Sequence, residues 1–447
     1  MNRLSAAAAL TLFSGAALAT PDIICGSLDD SINHGQVGNI RAYSFGTTAC
    51  NKGDSPANWI ADSLNHPVIS TSMFKLDTAT GRMIQLGVAW PKHSFASLQG
   101  NACGFGCAGD GSWQALGSGC SDPYGASLNA SQGGLGPRFE VNAYTGQYIH
   151  PPMADGQTGN AIYKRLQVPA AALDTNSTSL YFVEGMYVAL DDAQVGNQMN
   201  NVSYRRYNIN SSLSFNGFGS TVREVPAIFA WQLHGNGYNN PDNSLTISQV
   251  DVPGEGRFYL ASKAVDLGNG TWRYEYGLYN QNSHRSAGSI SIPVNTGTSN
   301  YGFNDITYHS GEPYSSADWT PSDDGTKLSW STEDYSVNQN ANAVRWGTMY
   351  NFWFETDAAP TTGDVEIGLF RPGSPSSLTA AAVVPTADTG CPADLAEPYG
   401  VLNIFDIQEY LGAYNSGKPS ADLAEPFGVF NIFDIQAYLA LYNAGCP

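Results

Sequence analysis

The C-terminal end of this 447-residue chain is a tandem repeat. Residues 393–419 read ADLAEPYGVLNIFDIQEYLGAYNSGKP and residues 421–447 read ADLAEPFGVFNIFDIQAYLALYNAGCP. The period is 28, and 20 of 27 aligned positions are identical. A unit this short cannot bury a core alone, so the two copies are expected to pack on each other. Each copy carries an acidic loop followed by a run with helical spacing. In the first copy Asp394, Glu397, Gly400, Asn403 and Asp406 lead into a helix whose Ile404, Ile407, Leu411 and Tyr414 fall on one predicted apolar face. Asp422, Glu425, Gly428, Asn431 and Asp434 repeat the loop in the second copy.

Two readings suit this loop. A calcium site needs several hard oxygen ligands around one ion and a Gly where the chain turns sharply. Val401 would offer its carbonyl, Asn403 would bind directly or through water, and Asp406 would close the site, with Val429, Asn431 and Asp434 as their counterparts. Alternatively, Asn403 is an N-cap and Asp406 reaches back from the first turn to complete a capping box. Residues 386–447 hold eight acids against the single Lys418, a net charge of −7. A bound cation would offset that repulsion, and solvated surface acids are the plainer explanation.

The repeat resembles a dockerin, a paired calcium-loop module with one helix per loop. More closely it resembles the GC-type dockerin at the C-termini of secreted bacterial proteins, which end in Gly-Cys as Gly445-Cys446 does here. The resemblance covers residues 391–447 only. It implies calcium as cofactor, held by Asp394, Glu397, Val401, Asn403 and Asp406 and by Asp422, Glu425, Val429, Asn431 and Asp434. It also implies attachment to an extracellular or cell-surface assembly through a cohesin-like or other anchoring partner. The loop departs from the common pattern: Ala396 and Pro398 stand where such loops carry Asp or Asn, and it is one residue longer.

At the other end, residues 1–19 (MNRLSAAAALTLFSGAALA) read as a signal peptide, with one Arg, a short apolar run and a small-x-small cleavage pattern ending at Ala19. No later stretch is long and apolar enough for a membrane span, so none is expected after signal removal. Export permits disulfides. Cys391 and Cys446 bracket the repeats and are expected to pair. Cys103, Cys107 and Cys120 sit in a Gly-rich loop, where one or two disulfides, with Cys50 as a further partner, are favoured over a thiolate metal site. Cys25 is left over.

Composition sets the class of the remainder. With 48 Gly, 24 Tyr and only 13% charged residues, the chain suits a β-rich secreted protein with many turns. A net charge of −19 excludes a nucleic-acid binder that works by neutralising phosphates. The fold class expected is mainly β: an antiparallel β-sandwich main region at 20–375, a linker at 376–390, and the small helical module at 391–447. The main region divides into a loop-rich part, 20–220, and cleaner strands over 221–375. Among those strands are residues 225–233 (VPAIFAWQL) and 271–280 (TWRYEYGLYN). In the latter, Trp272, Tyr274, Tyr276 and Leu278 alternate as in a strand with one covered face.

No nucleophile elbow and no zinc-protease motif is present. The seven His are scattered, which weakens a metal site without excluding one. His93, Asp122, Glu140 and His309 carry side chains suited to acid or base chemistry, provided they converge. For each, a loop hydrogen bond is the plainer role. Trp113 and Trp319 lie in polar loops and are candidates for stacking on sugar rings. Segments such as LGVAWPKHSF and LGPRFEVNAYTG are similar to uncharacterised secreted bacterial proteins that often carry this type of tail, a similarity that implies no activity. Dockerin-bearing proteins commonly act on polysaccharides, so a polysaccharide-acting or polysaccharide-binding main region leads by analogy. A non-catalytic structural surface protein is the rival, and a metal-dependent oxidase built on the His is the third reading.

Overall fold

A computed structural model describes residues 19–109, 111–294, 297–386, 391–396 and 401–446. Residues 1–18 of the expected signal peptide and the loop residues Glu397 and Gly400 lie outside the described residues.

The protein is mainly β, and among the described residues every strand pairing is antiparallel. The long hairpin of Ile23–Val37 and Ile40–Asn51 forms the first sheet with Leu166–Pro169 and Ser121–Tyr124. The second sheet runs in the order Phe215–Val222, Val202–Ile209, Ser179–Val188, Val68–Asp77, Arg82–Val88. The third is Thr246–Val252, Gly256–Asp266, Trp272–Asn280, Thr348–Thr356, Ser299–Asn304. The fourth is Thr320–Asp323, Lys327–Ser331, Ala287–Pro293, Pro360–Leu369, Ser377–Pro385.

Side-chain alternation stacks these sheets into four layers. Tyr181 and Val183 face the first sheet, packing with Tyr43 and Phe45. Their neighbours Leu180 and Phe182 face the other way, into a seam shared with Tyr259, Ala261 and Tyr279 of the third sheet. Tyr274, Tyr276 and Leu278 then face the fourth sheet, against Ile290, Trp330 and Ile367. The two inner sheets are therefore covered on both faces. This explains why SLYFVEGMYV is almost continuously apolar instead of alternating. It also corrects the expectation for 271–280, whose second face is buried in the seam.

Two buried carboxylates in the seam are paired. Arg82 donates to Glu275 at 2.6 and 2.7 Å, and Arg273 donates to the same carboxylate at 2.7 Å. Glu184 accepts the Ala227 N–H at 2.7 Å and the Tyr279 hydroxyl at 2.8 Å. Residues 225–233, expected as a strand, are instead the start of the helix Ile228–His234. Ala227, Ile228, Ala230 and Trp231 are buried together, a helical spacing that fills the seam.

Three further expectations change. Residues 20–220 contain long regular strands rather than mostly loops. The expected linker at 376–390 is a strand over Ser377–Pro385, because Ala380, Ala382 and Val384 alternate into the core of the fourth sheet. Trp319 is buried, its indole N–H donating to the Asn342 carbonyl, and it offers no surface for a ligand. The cysteines pair as Cys50–Cys103, Cys107–Cys120 and Cys391–Cys446, and Cys25 is a buried free thiol.

The repeats form two helices, Ile404–Asn415 and Ile432–Ala444. Tyr410 and Tyr438, equivalent positions in the two copies, stack with centroids 3.9 Å apart and planes 3° from parallel. Their hydroxyls are exchanged: Tyr410 donates to Ala421 O at 3.2 Å and Tyr438 to Ala393 O at 2.9 Å. The buried face is thus Asp406, Tyr410 and Ala413. Ile404 and Leu411, expected on the apolar inner face, are exposed.

Candidate functional site

Three histidines converge at one end of the second sheet. Val68 pairs with His93, which places His66, two residues before that strand, beside His93. His150 follows the short strand Gln147–Tyr148. The Tyr148 hydroxyl accepts the His66 N–H at 3.0 Å and donates to the His66 carbonyl at 2.7 Å, pinning that corner. The His66 Nδ1 lies 3.2 Å from the Ile60 carbonyl. A carbonyl only accepts, so Nδ1 carries the proton and Nε2 presents a lone pair. That Nε2 is 3.0 Å from His93 Nδ1. The His150 Nδ1 is buried with no hydrogen-bond partner. One ring nitrogen from each residue lies within 4.8 Å of the others. Burial pushes His66 down to about 4 and, reinforced by its two His neighbours, His93 down to about 3. Both imidazoles are neutral at pH 7.

The four acid or base candidates do not meet. His93 belongs to the cluster just described. Asp122 accepts the Leu98 N–H at 2.8 Å, and burial raises its carboxyl to about 7. Glu140 accepts the Met153 N–H at 3.0 and 3.2 Å, and partial burial raises it. His309 bonds Ser310 Oγ and the Val88 carbonyl, both at 2.9 Å, and burial lowers it to about 4. Asp122, Glu140 and His309 each anchor a separate stretch of backbone, the plainer role. Sequence reading missed His66 and His150. Their separation from His93 gave no spacing signal; only the strand register brings them together.

In the tail, the Asp406 Oδ1 accepts the Leu395 and Ala396 N–H groups, both at 2.8 Å, and its Oδ2 accepts the Asn403 N–H at 2.7 Å. The Asn403 Oδ1 caps the helix from Phe405 N, and its Nδ2 donates to the Val401 carbonyl at 2.9 Å. Asp434, Asn431 and Val429 repeat this arrangement. The capping box is therefore present in both copies. Its backbone N–H groups hold Asp406 and Asp434 below the usual carboxylate range. Asp422 Oδ2 accepts the Gly428 N–H, while its Oδ1 is buried without a hydrogen-bond partner. Glu425 is exposed. Four apolar positions are exposed in both copies: Val401 and Val429, Ile404 and Ile432, Phe405 and Phe433, Leu411 and Leu439.

No family model matches the chain, and no curated protein matches it. Among solved structures, the serine-rich repeat adhesion glycoprotein Srr1 from Streptococcus agalactiae matches 81% of this chain and 97% of its own, at 8% identity and a TM-score of 0.19. The partial N-terminal region of an enterococcal surface protein matches 84% of this chain and 98% of its own, at 10% identity and a TM-score of 0.17. Similarity this low carries no argument about function.

Proposed function

We propose that this is an exported protein attached to an extracellular or cell-surface assembly by its C-terminal module, with the β region as the displayed part. The observation that supports this most is the duplicated apolar set. Phe405 and Phe433 are 56% and 57% exposed, and Ile404 and Ile432 are both 58% exposed. These side chains are identical in the two copies, yet the module's own core does not use them. Repeated exposed apolar side chains mark a surface that a protein partner covers. A cohesin-like partner with an apolar docking face suits them. Three disulfides fit an oxidising compartment.

Calcium enters this reading in a narrower role than the repeat pattern suggests. Asp406 and Asp434 close their loops through backbone N–H groups, so the atom best placed for a cation is Asp422 Oδ1. The test is surface retention in the native host, comparing the full chain with a Phe405→Ser, Phe433→Ser double variant, each with and without chelator. The double variant is expected in the medium while the parent stays cell-associated. Equal retention of both would refute attachment through this face.

A polysaccharide contact has one observation in its favour. Trp113 is 74% exposed, between Cys107 and Cys120 on a loop fastened by two disulfides. An exposed indole suits stacking on a sugar ring. Trp113→Ala should abolish any binding found in a polysaccharide pull-down, and unchanged binding would remove Trp113 from the reading.

A further inference from the structure

We propose that His66, His93 and His150 hold a first-row divalent metal ion, with zinc as the probe. The inference is independent of how the tail attaches.

The chemistry of the donors comes first. Three imidazoles form a ligand set suited to zinc, copper, nickel or iron. Each must offer a lone pair. His66 does so at Nε2, because its Nδ1 proton is held by the Ile60 carbonyl. A second group fixing the ring that binds metal is the usual support for such a ligand. His150 contributes a buried Nδ1 that makes no hydrogen bond. A buried ring nitrogen left without a partner is costly unless something occupies its lone pair or takes its proton.

Geometry agrees. Tetrahedral bonds of about 2.0 to 2.1 Å place pairs of ligand nitrogens roughly 3.4 Å apart. The His66 Nε2 to His93 Nδ1 separation of 3.0 Å is close to that value. A ring nitrogen of His150 lies within 4.8 Å of one on each of the other two, and the His150 ring is only partly buried. The His66 ring is tilted 71° from His93 and 82° from His150, and His93 and His150 are 41° apart, so no two of the rings are coplanar. Tyr148 packs against both His66 and His93 and binds the His66 backbone, which keeps the set in place.

His66 also lines a cavity. A cavity of about 80 Å³, bounded by Asn58, Asn65, His66, Leu190, Asp191 and Gln194, adjoins the cluster at His66. It has room for water. Three protein ligands leave a fourth position for water or an exogenous ligand, the arrangement of zinc sites that remain open.

The alternative is a hydrogen bond between two neutral rings, His93 Nδ1–H to His66 Nε2, with no ion. The experiment separates the two. Full-length mature protein without a histidine tag is stripped with chelator and titrated with zinc by calorimetry, in excess calcium to occupy the tail acids. Cobalt(II) is then substituted and its visible spectrum recorded. The expected result is one equivalent of zinc, an intense tetrahedral cobalt spectrum, and a melting temperature that rises with zinc. His150→Ala, whose side chain is the most exposed of the three, should weaken zinc at least 100-fold and remove the cobalt bands. It should keep the melting temperature of the metal-free parent, and His66→Ala and His93→Ala are the confirming variants. No stoichiometric zinc, or unchanged affinity in a folded His150→Ala protein, would overturn the proposal.

Discussion

The seam between the two inner sheets makes stability depend on pH in a way one substitution can isolate. Glu184 is fully buried, and burial pushes its carboxyl up to about 7 from the ordinary 4.5. The Ala227 N–H, the Tyr279 hydroxyl and the charge of Arg138 oppose that rise without cancelling it. The folded state therefore holds this proton more tightly than the unfolded chain. Its contribution is full below about pH 4.5 and is lost as pH rises through about 7. A displacement of this size is worth about 3 kcal/mol. Glu184→Gln removes the ionisation while keeping the shape. The amide oxygen can accept from Ala227 N–H, and the amide nitrogen can donate to Tyr279 if that hydroxyl turns around. In differential scanning calorimetry between pH 5 and pH 8.5, the variant should gain on the parent by about 4 °C for a unit of this size. Melting curves that stay parallel across the range would show that Glu184 ionises in the fold without penalty, and the burial reasoning would fail.

Glu275 lies in the same seam with the opposite character, because Arg82 and Arg273 both bind it. Glu275→Gln should destabilise by about 3 kcal/mol, read as a lower denaturant midpoint, since it leaves two guanidinium groups without their carboxylate. An unchanged midpoint would mean that the pairs are solvated. In the tail, Tyr410→Phe and Tyr438→Phe each remove one of the exchanged hydroxyl bonds. Each should lower the opening free energy of the helix amides in hydrogen exchange by about 1 kcal/mol, and an effect confined to one copy would contradict the shared core. Chelator should leave amide protection of Ile404–Asn415 within twofold of its starting value, because Asp406 closes the loop on backbone N–H groups. Loss of that protection would show that calcium closes it.

How far the sequence revealed the fold depended on how many faces each element buries. The alternation at 271–280 was visible because Trp272, Tyr274, Tyr276 and Leu278 line one face. The second burial was hidden because Glu275 and Gly277 lie on that face, and a carboxylate or a glycine does not read as core. Glu275 is nevertheless nearly inaccessible, since two arginines from the seam satisfy it. At 225–233 a short apolar run fitted strand and helix equally, and only the helix fills the seam. At 377–385 the alternation of Ala380, Ala382 and Val384 was present but small side chains disguised it as linker composition.

The candidate sites divide on the same physical ground. The tail was legible because its two copies show each other which positions matter, and both halves of the capping box were readable at fixed spacing. Periodicity nevertheless put Ile404 and Leu411 on the inner face, where they are not. A helix that buries one stripe in its own core and offers another to a partner has two apolar faces, and spacing cannot say which is which. The stacking of Tyr410 on Tyr438 decides it: that stripe is the core, and the other apolar stripe is exposed. The histidines are the reverse case. Nothing local marks His66, His93 and His150, because their meeting depends on Val68 pairing with His93 and on Tyr148 tying down His66. A site assembled by strand register can be found only after the register is known, so a count of scattered histidines carries little weight against a metal.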